Sequence, residues 1–162
     1  MANIISFKAK NFKSYKDEVE FSFRALNSEF RSENYHEVEL SNGETIRLLN
    51  SAVIYGANAS GKSNIIWAMF ALISYIRSSR ELDPSATIRY EPFLLSTQTA
   101  TSPISLSIEF VADKEIYHYN VSYTEEQFVE EGIEHFLKYG IAFYKKQCKV
   151  VLANIPVQAK VK

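Results

Sequence analysis

Apolar and polar residues alternate in short runs over most of the chain, and one stretch breaks that rhythm. Ile5, Phe7 and Ala9 alternate with Ser6, Lys8 and Lys10; Val19, Phe21 and Phe23 alternate with Glu18, Glu20, Ser22 and Arg24. Period two predicts half-buried antiparallel strands. Residues 25–35 are polar and predict a loop. Val38–Leu40 and Thr45–Leu49 flank Ser41-Asn42-Gly43-Glu44. Asn-Gly accepts the positive φ of a type I′ turn, so a hairpin is expected. Ala52–Tyr55 is apolar on both faces, which predicts a central strand covered on both sides. After Ser63 the period changes. Ile66, Met69, Phe70, Ile73 and Ile76 follow helical spacing, and Trp67, Leu72 and Tyr75 make the other faces apolar too. This predicts a buried helix over Lys62–Arg77, ending before Pro84.

The second half returns to period two. Ile104, Leu106, Ile108 and Phe110 alternate with polar neighbours, as do Tyr117, Tyr119, Val121 and Tyr123, and Ala112-Asp113-Lys114-Glu115 lies between the two runs. A second hairpin follows. Residues 124–138 fit helix or strand equally. Ile141–Tyr144 and Lys149–Leu152 suggest a third hairpin around Lys145-Lys146-Gln147. The expected class is α/β: a mixed sheet with the Ala52–Tyr55 strand central, the helix packed on it, and antiparallel strands before and after.

Composition narrows the function classes. At 162 residues the chain suits one domain. Hydrophobic residues at 46% and charged residues at 23% exclude a disordered chain. The aromatic excess, Tyr 10 and Phe 11, agrees with strands. A net charge of -1 gives no support for a general nucleic-acid or membrane-surface binder. The single cysteine, Cys148, excludes an internal disulfide framework and argues against a cysteine-based zinc site. The longest apolar stretch, Ile65–Ile76, is about 12 residues, short of the roughly 20 a membrane helix needs. The first 25 residues have no apolar core of a signal peptide, so a reducing, cytoplasmic location is expected. Glu125, Glu126, Glu130, Glu131 and Glu134 form an acidic block, and the lysines after it read as a solvated face running into a basic tail at 153–162.

The break in the rhythm carries the chemistry. Gly56-Ala57-Asn58-Ala59-Ser60-Gly61-Lys62-Ser63 matches GxxxxGK[ST], the P-loop. A triphosphate needs several donors converging on a small volume. A tight loop between strand and helix turns successive backbone N–H groups inward as an anion nest. Glycine at 56 and 61 permits unusual dihedrals and close approach. The helix that follows adds its N-terminal partial charge. Lys62 is expected to reach the β- and γ-phosphates, and the Ser63 hydroxyl to ligate Mg²⁺. The expected cofactors are ATP and Mg²⁺. The candidate binding set is Gly56, Asn58, Ala59, Ser60, Gly61, Lys62, Ser63 and Asn64. His36, His118 and His135 are isolated, no metal-site spacing occurs, and no GxSxG elbow supports a hydrolase triad.

"IISFKAKNFKSYKDEVEFSF" followed by "VIYGANASGKSNIIWAM" resembles the N-terminal lobe of ABC-type ATPase heads of the SMC, RecF and OLD kind. "YEPFLL", "SPISLSIEF" and "YHYNVSY" resemble the antiparallel strands inserted after the P-loop helix in that group. The resemblance spans residues 2 to about 140. It implies an ATP-binding N-lobe over 1–152, with a β-rich insertion from about 88. It also implies that Lys13, in the loop after the first strand, contacts the nucleotide, and that Asn58 sits near the γ-phosphate. Hydrolysis in this group needs a Walker B strand ending in Asp-Glu and a signature loop with adjacent glycines. The only Asp-Glu here is Asp17-Glu18, after no apolar strand, and Gly-Gly does not occur. No catalytic residue is therefore assigned. The chain is expected to be an N-terminal part, active with a C-terminal half and a second head, and reaching nucleic acid only through the full assembly. DNA maintenance and phage defence are the processes the group implies. Two other classes stay open: a truncated nucleotide-binding or interaction module, and a P-loop kinase of small molecules. The 55 residues before the motif argue against the kinase.

Overall fold

The computed structural model describes residues 2–26, 31–78, 90–137 and 140–146. The proposed basic tail at 153–162 lies outside them. The element order is β1 (Asn3–Lys10), β2 (Val19–Ser22), a 3-10 turn (Ser32–Asn34), β3 (Tyr35–Glu39), β4 (Thr45–Leu49), α1 (Lys62–Ser78), β5 (Ile104–Ala112), β6 (Glu115–Tyr123), β7 (Phe128–Leu137) and β8 (Gly140–Lys146). Six strands form one sheet in the order β2-β1-β5-β6-β7-β8, and β3 pairs with β4 apart from it.

Every pairing among these strands is antiparallel. The expected mixed sheet is therefore corrected. The correction has one source: Ala52–Tyr55, expected at the centre, is not a strand. Residues 51–57 belong to no helix or strand and are exposed, Val53 at 70% and Tyr55 at 87%. Apolar residues on both faces mark a segment that fits between two layers, but in the described residues no neighbouring strand lies along it.

The main core lies between α1 and one face of the large sheet. Phe7, Ala9, Leu106, Ile108, Val121 and Tyr123 meet Ile65, Ala68 and Leu72 of the helix. Positions 65, 68 and 72 are spaced i, i+3, i+7, one helical stripe. The stripe that stands out in the sequence is the other one. Ile66, Phe70, Ile73 and Ile76 are exposed, Phe70 at 60%. So α1 is buried on one face only, not all round. Among the described residues no helix is long and apolar enough to cross a membrane.

A second, smaller core lies on the reverse face, where Ile5 and Val111 meet Leu40 and Leu48 from the β3–β4 hairpin. Val111 has the opposite parity to Leu106 and Ile108, so it points away from the helix. Ile5 joins it because the β1–β5 register shifts between Ile4 and Ser6, which turns Ile5 out of phase with Phe7 and Ala9.

Both turn expectations are refined. At Asn42-Gly43 only Gly43 has positive φ, 84°, and the Asn42 Oδ1 accepts from the Glu44 N–H. The type I′ signature, positive φ at both central residues, falls instead at Asp113 and Lys114, at 51° and 66°. Within the ambiguous stretch 124–138, Phe128–Leu137 forms β7. Of the expected third hairpin, Ile141–Tyr144 lies in β8, which pairs with β7, and Lys149–Leu152 lies outside the described residues.

The tyrosine-rich strands make a pH prediction. Burial raises the hydroxyl pKa of Tyr15, Tyr90, Tyr117 and Tyr123 above the ordinary 10.0, most strongly for Tyr123. A raised folded value means the fold favours the neutral phenol. That stabilisation is complete below pH 10 and is lost as pH rises through the raised values. Denaturant midpoints should hold steady up to about pH 9 and then fall. A midpoint that climbs above pH 10 would contradict the assignment.

Candidate functional site

Residues 51–57 lead without regular structure into a turn at 58–61, and α1 begins at Lys62. The local reasons are two glycines and one strained alanine. A Cβ on Gly56 would meet the Ser60 Oγ at 2.7 Å and the Lys62 stem at 3.6 Å, so the loop closes only over a bare backbone. Gly61 has φ 91°, and a Cβ there would collide with the Ser14 Oγ. Ala59 adopts φ 63° without being glycine. Left-handed backbone costs an alanine about 1–2 kcal/mol, and alternating the handedness of neighbouring residues turns N–H groups to one side. The Ala59 contribution was not legible in the sequence, where only the glycines advertise unusual dihedrals.

Lys62 folds back over its own loop. Its Nζ donates to the Gly56 carbonyl at 2.8 Å and the Ala57 carbonyl at 2.6 Å. Gly56, Ala57, Ser60 and Lys62 thus converge. Asn58, Ala59 and Ser63 are exposed beside them, with the Ser63 hydroxyl in the first turn of α1. The Lys62 and Ser63 backbone N–H groups have no acceptor among the described residues, whereas the Asn64 N–H donates to the Gly61 carbonyl at 2.8 Å.

A second segment abuts the loop. After β1 the chain makes a tight reversal, in which Phe12 and Tyr15 exchange backbone hydrogen bonds at 2.9 and 2.8 Å. The Tyr15 hydroxyl donates to the Gly61 carbonyl at 2.6 Å, and the Asn64 Nδ2 donates to the Ser14 Oγ at 2.7 Å. The same reversal is tied at its other end to residues 90–103. Asn11, only 3% exposed, directs its Nδ2 to the carbonyls of Thr99, Ser102 and Pro103, and its Oδ1 accepts from the Phe93 N–H. Lys13 lies here as well. Its Nζ pairs with Glu91 at 3.0 Å, and its backbone N–H donates to the Glu91 carbonyl. The family resemblance implies a nucleotide contact for Lys13, whose ammonium here is held by Glu91. The residues that touch the loop are Ser14 and Tyr15.

The geometry is that of a loop between an irregular segment and a helix N-terminus, with unclaimed amides, a lysine and a hydroxyl. A family model described as "AAA domain, putative AbiEii toxin, Type IV TA system" matches residues 51–146, more than half of the chain. The chain belongs to this AAA-domain family. No curated protein matches it. The AAA match begins at the segment entering the P-loop and ends with β8. It takes in α1 and the β5–β8 meander, and leaves β1, the reversal at 11–15 and the β3–β4 hairpin outside it. An AAA domain implies ATP-binding, P-loop ATPase-like function, and with it nucleotide and Mg²⁺. The donor set fits both: neutral amides and an ammonium for phosphate oxygens, and a hydroxyl for a hard cation that takes few protein ligands.

Proposed function

We propose that this chain is the nucleotide-binding part of an ABC-type ATPase head, of the SMC, RecF or OLD kind. The observation that supports it most is the pair of unclaimed amides, Lys62 and Ser63, at the start of α1 beside the Lys62 ammonium. In this reading the nest of Gly56, Asn58, Ala59, Ser60, Gly61, Lys62, Ser63 and Asn64 receives the β- and γ-phosphates of ATP. Lys62 leaves the Gly56 and Ala57 carbonyls to do so. Ser63 supplies one oxygen to Mg²⁺, the remainder coming from phosphate and water. Lys13 contributes a cation near the same site once it gives up Glu91.

A specific observation favours completion by a second part. The apolar segment 52–55 and the outer face of α1, with Phe70 and Ile66, are both exposed on the two sides of the P-loop in sequence. A C-terminal half that lays a strand along 52–55 would satisfy its backbone and bury those side chains, and it would bring the acids that hydrolysis requires. A second head, and nucleic acid held by the full assembly, are the further partners of this reading. DNA maintenance or phage defence is the process it suggests.

The prediction is binding without turnover. The 162-residue chain should bind ATP–Mg²⁺ saturably in a calorimeter and release negligible phosphate. No binding would remove the nucleotide reading. Brisk hydrolysis by the pure chain would remove the need for a second part.

A further inference from the structure

An α-helix begins with four backbone N–H groups that have no partner inside it. In α1 they include those of Lys62, Ser63 and Asn64, and the protein treats them unequally. The Asn64 N–H is taken by the Gly61 carbonyl. The Tyr15 hydroxyl donates to the same Gly61 carbonyl at 2.6 Å. A side chain from a distant turn therefore bridges to the carbonyl at which the helix begins. The Asn64 amide is consumed, and those of Lys62 and Ser63 have no acceptor among the described residues.

The bridge also fixes a direction. The peptide between Gly61 and Lys62 is planar and trans, so its N–H points opposite to its C=O. Holding the Gly61 carbonyl toward Tyr15 aims the Lys62 N–H the other way. Ser14 closes the same contact from beside it: its Oγ accepts from the Asn64 side chain, and it fills the space a Cβ on Gly61 would need. The turn carrying both residues is itself braced by the Phe12–Tyr15 hydrogen bonds and the buried Phe12 ring.

We infer that Tyr15 is a positioning residue of the nucleotide site: its hydroxyl sets the Gly61–Lys62 peptide and so presents the Lys62 and Ser63 amides to phosphate oxygens. Ser14 is its auxiliary. The inference rests on the nucleotide-binding reading above and adds a residue outside the matched family segment to it. It does not require Tyr15 to touch the nucleotide.

Tyr15→Phe keeps the ring and deletes the bridge. Titration with ATP–Mg²⁺ and with ADP–Mg²⁺ should show affinity weakened about three- to tenfold for both, the scale of one lost hydrogen bond. The melting temperature without nucleotide should change little, while the rise caused by nucleotide shrinks. A merely structural tyrosine predicts the reverse, a lower melting temperature with unchanged affinity, and that result overturns the inference. Wild-type affinity in Tyr15→Phe overturns it as well. Should that variant fail to fold, Ser14→Ala carries the test: weaker ATP–Mg²⁺ binding by a folded protein supports the clasp, and unchanged binding overturns it. A wild-type chain that binds no ATP–Mg²⁺ fails differently, removing the nucleotide reading itself and this inference with it.

Discussion

Replacing Lys62 with alanine should weaken ATP–Mg²⁺ binding at least about tenfold, because a charge-assisted contact is worth roughly 1.5–3 kcal/mol. The fold should barely notice. In the nucleotide-free protein the ammonium serves only the Gly56 and Ala57 carbonyls, which sit on an exposed loop where water can replace it. Loss of binding with an unchanged melting temperature is therefore the signature expected of Lys62→Ala. Lys62→Arg is not a rescue. The lysine stem lies against bare Gly56, 3.6 Å from where a Cβ would stand, and a planar guanidinium has a different reach and fork there. Calorimetric titration of both variants checks this. Wild-type affinity in Lys62→Ala would mean that the loop amides hold the phosphates unaided, or that nucleotide binds elsewhere.

Much of this arrangement is legible in the sequence, and the failures have physical reasons. The P-loop is legible because its glycines, lysine and serine are required by atoms a few residues apart. The β5–β6 hairpin is legible because period-two burial runs over Ile104–Ile108 in one strand and Tyr119–Tyr123 in the other. The helix is legible, with Lys62–Arg77 expected and Lys62–Ser78 found. Which face it buries is not. Both stripes are apolar, and composition cannot rank Ile65-Ala68-Leu72 against Ile66-Phe70-Ile73. The stripe with the smaller side chains, Ile65-Ala68-Leu72, is the buried one. Ala52–Tyr55 was read as a strand from its apolar faces, but a strand exists only when a neighbour supplies hydrogen bonds. That neighbour is a property of tertiary partners, not of the segment. The clasp on the P-loop was invisible for a related reason. Tyr15 and Gly61 are separated by 46 residues, and no periodicity links them.

Substituting Asn11 should cost more stability than any other single polar change in the described residues. Its backbone sits at φ 54°, a left-handed conformation that asparagine tolerates and most residues do not. Its side chain closes the loop 90–103 against the end of β1. Asn11→Ala would orphan the Phe93 N–H and the Pro103 carbonyl, whereas the Thr99 carbonyl keeps the Ser102 N–H at 3.2 Å. The Ser102 carbonyl keeps the Tyr90 hydroxyl at 2.7 Å. Two unsatisfied part-buried groups at about 1–3 kcal/mol each, plus left-handed strain of about 1–2 kcal/mol, give a loss of roughly 3–8 kcal/mol. That is a large fraction of the 5–15 kcal/mol that typically holds a domain together. Chemical denaturation should show the midpoint fall accordingly. Asn11→Asp separates the two halves of the contact. It keeps the Oδ that accepts from Phe93 but turns a carboxylate toward three carbonyl oxygens. It should be destabilised at neutral pH and partly recover in acid, where a protonated carboxyl can donate once. Asn11 also anchors the turn that carries Ser14 and Tyr15, so a folded Asn11→Asp should bind ATP–Mg²⁺ more weakly than wild type. A variant with native stability at pH 7 would show that water fills the role assigned to the Asn11 amide.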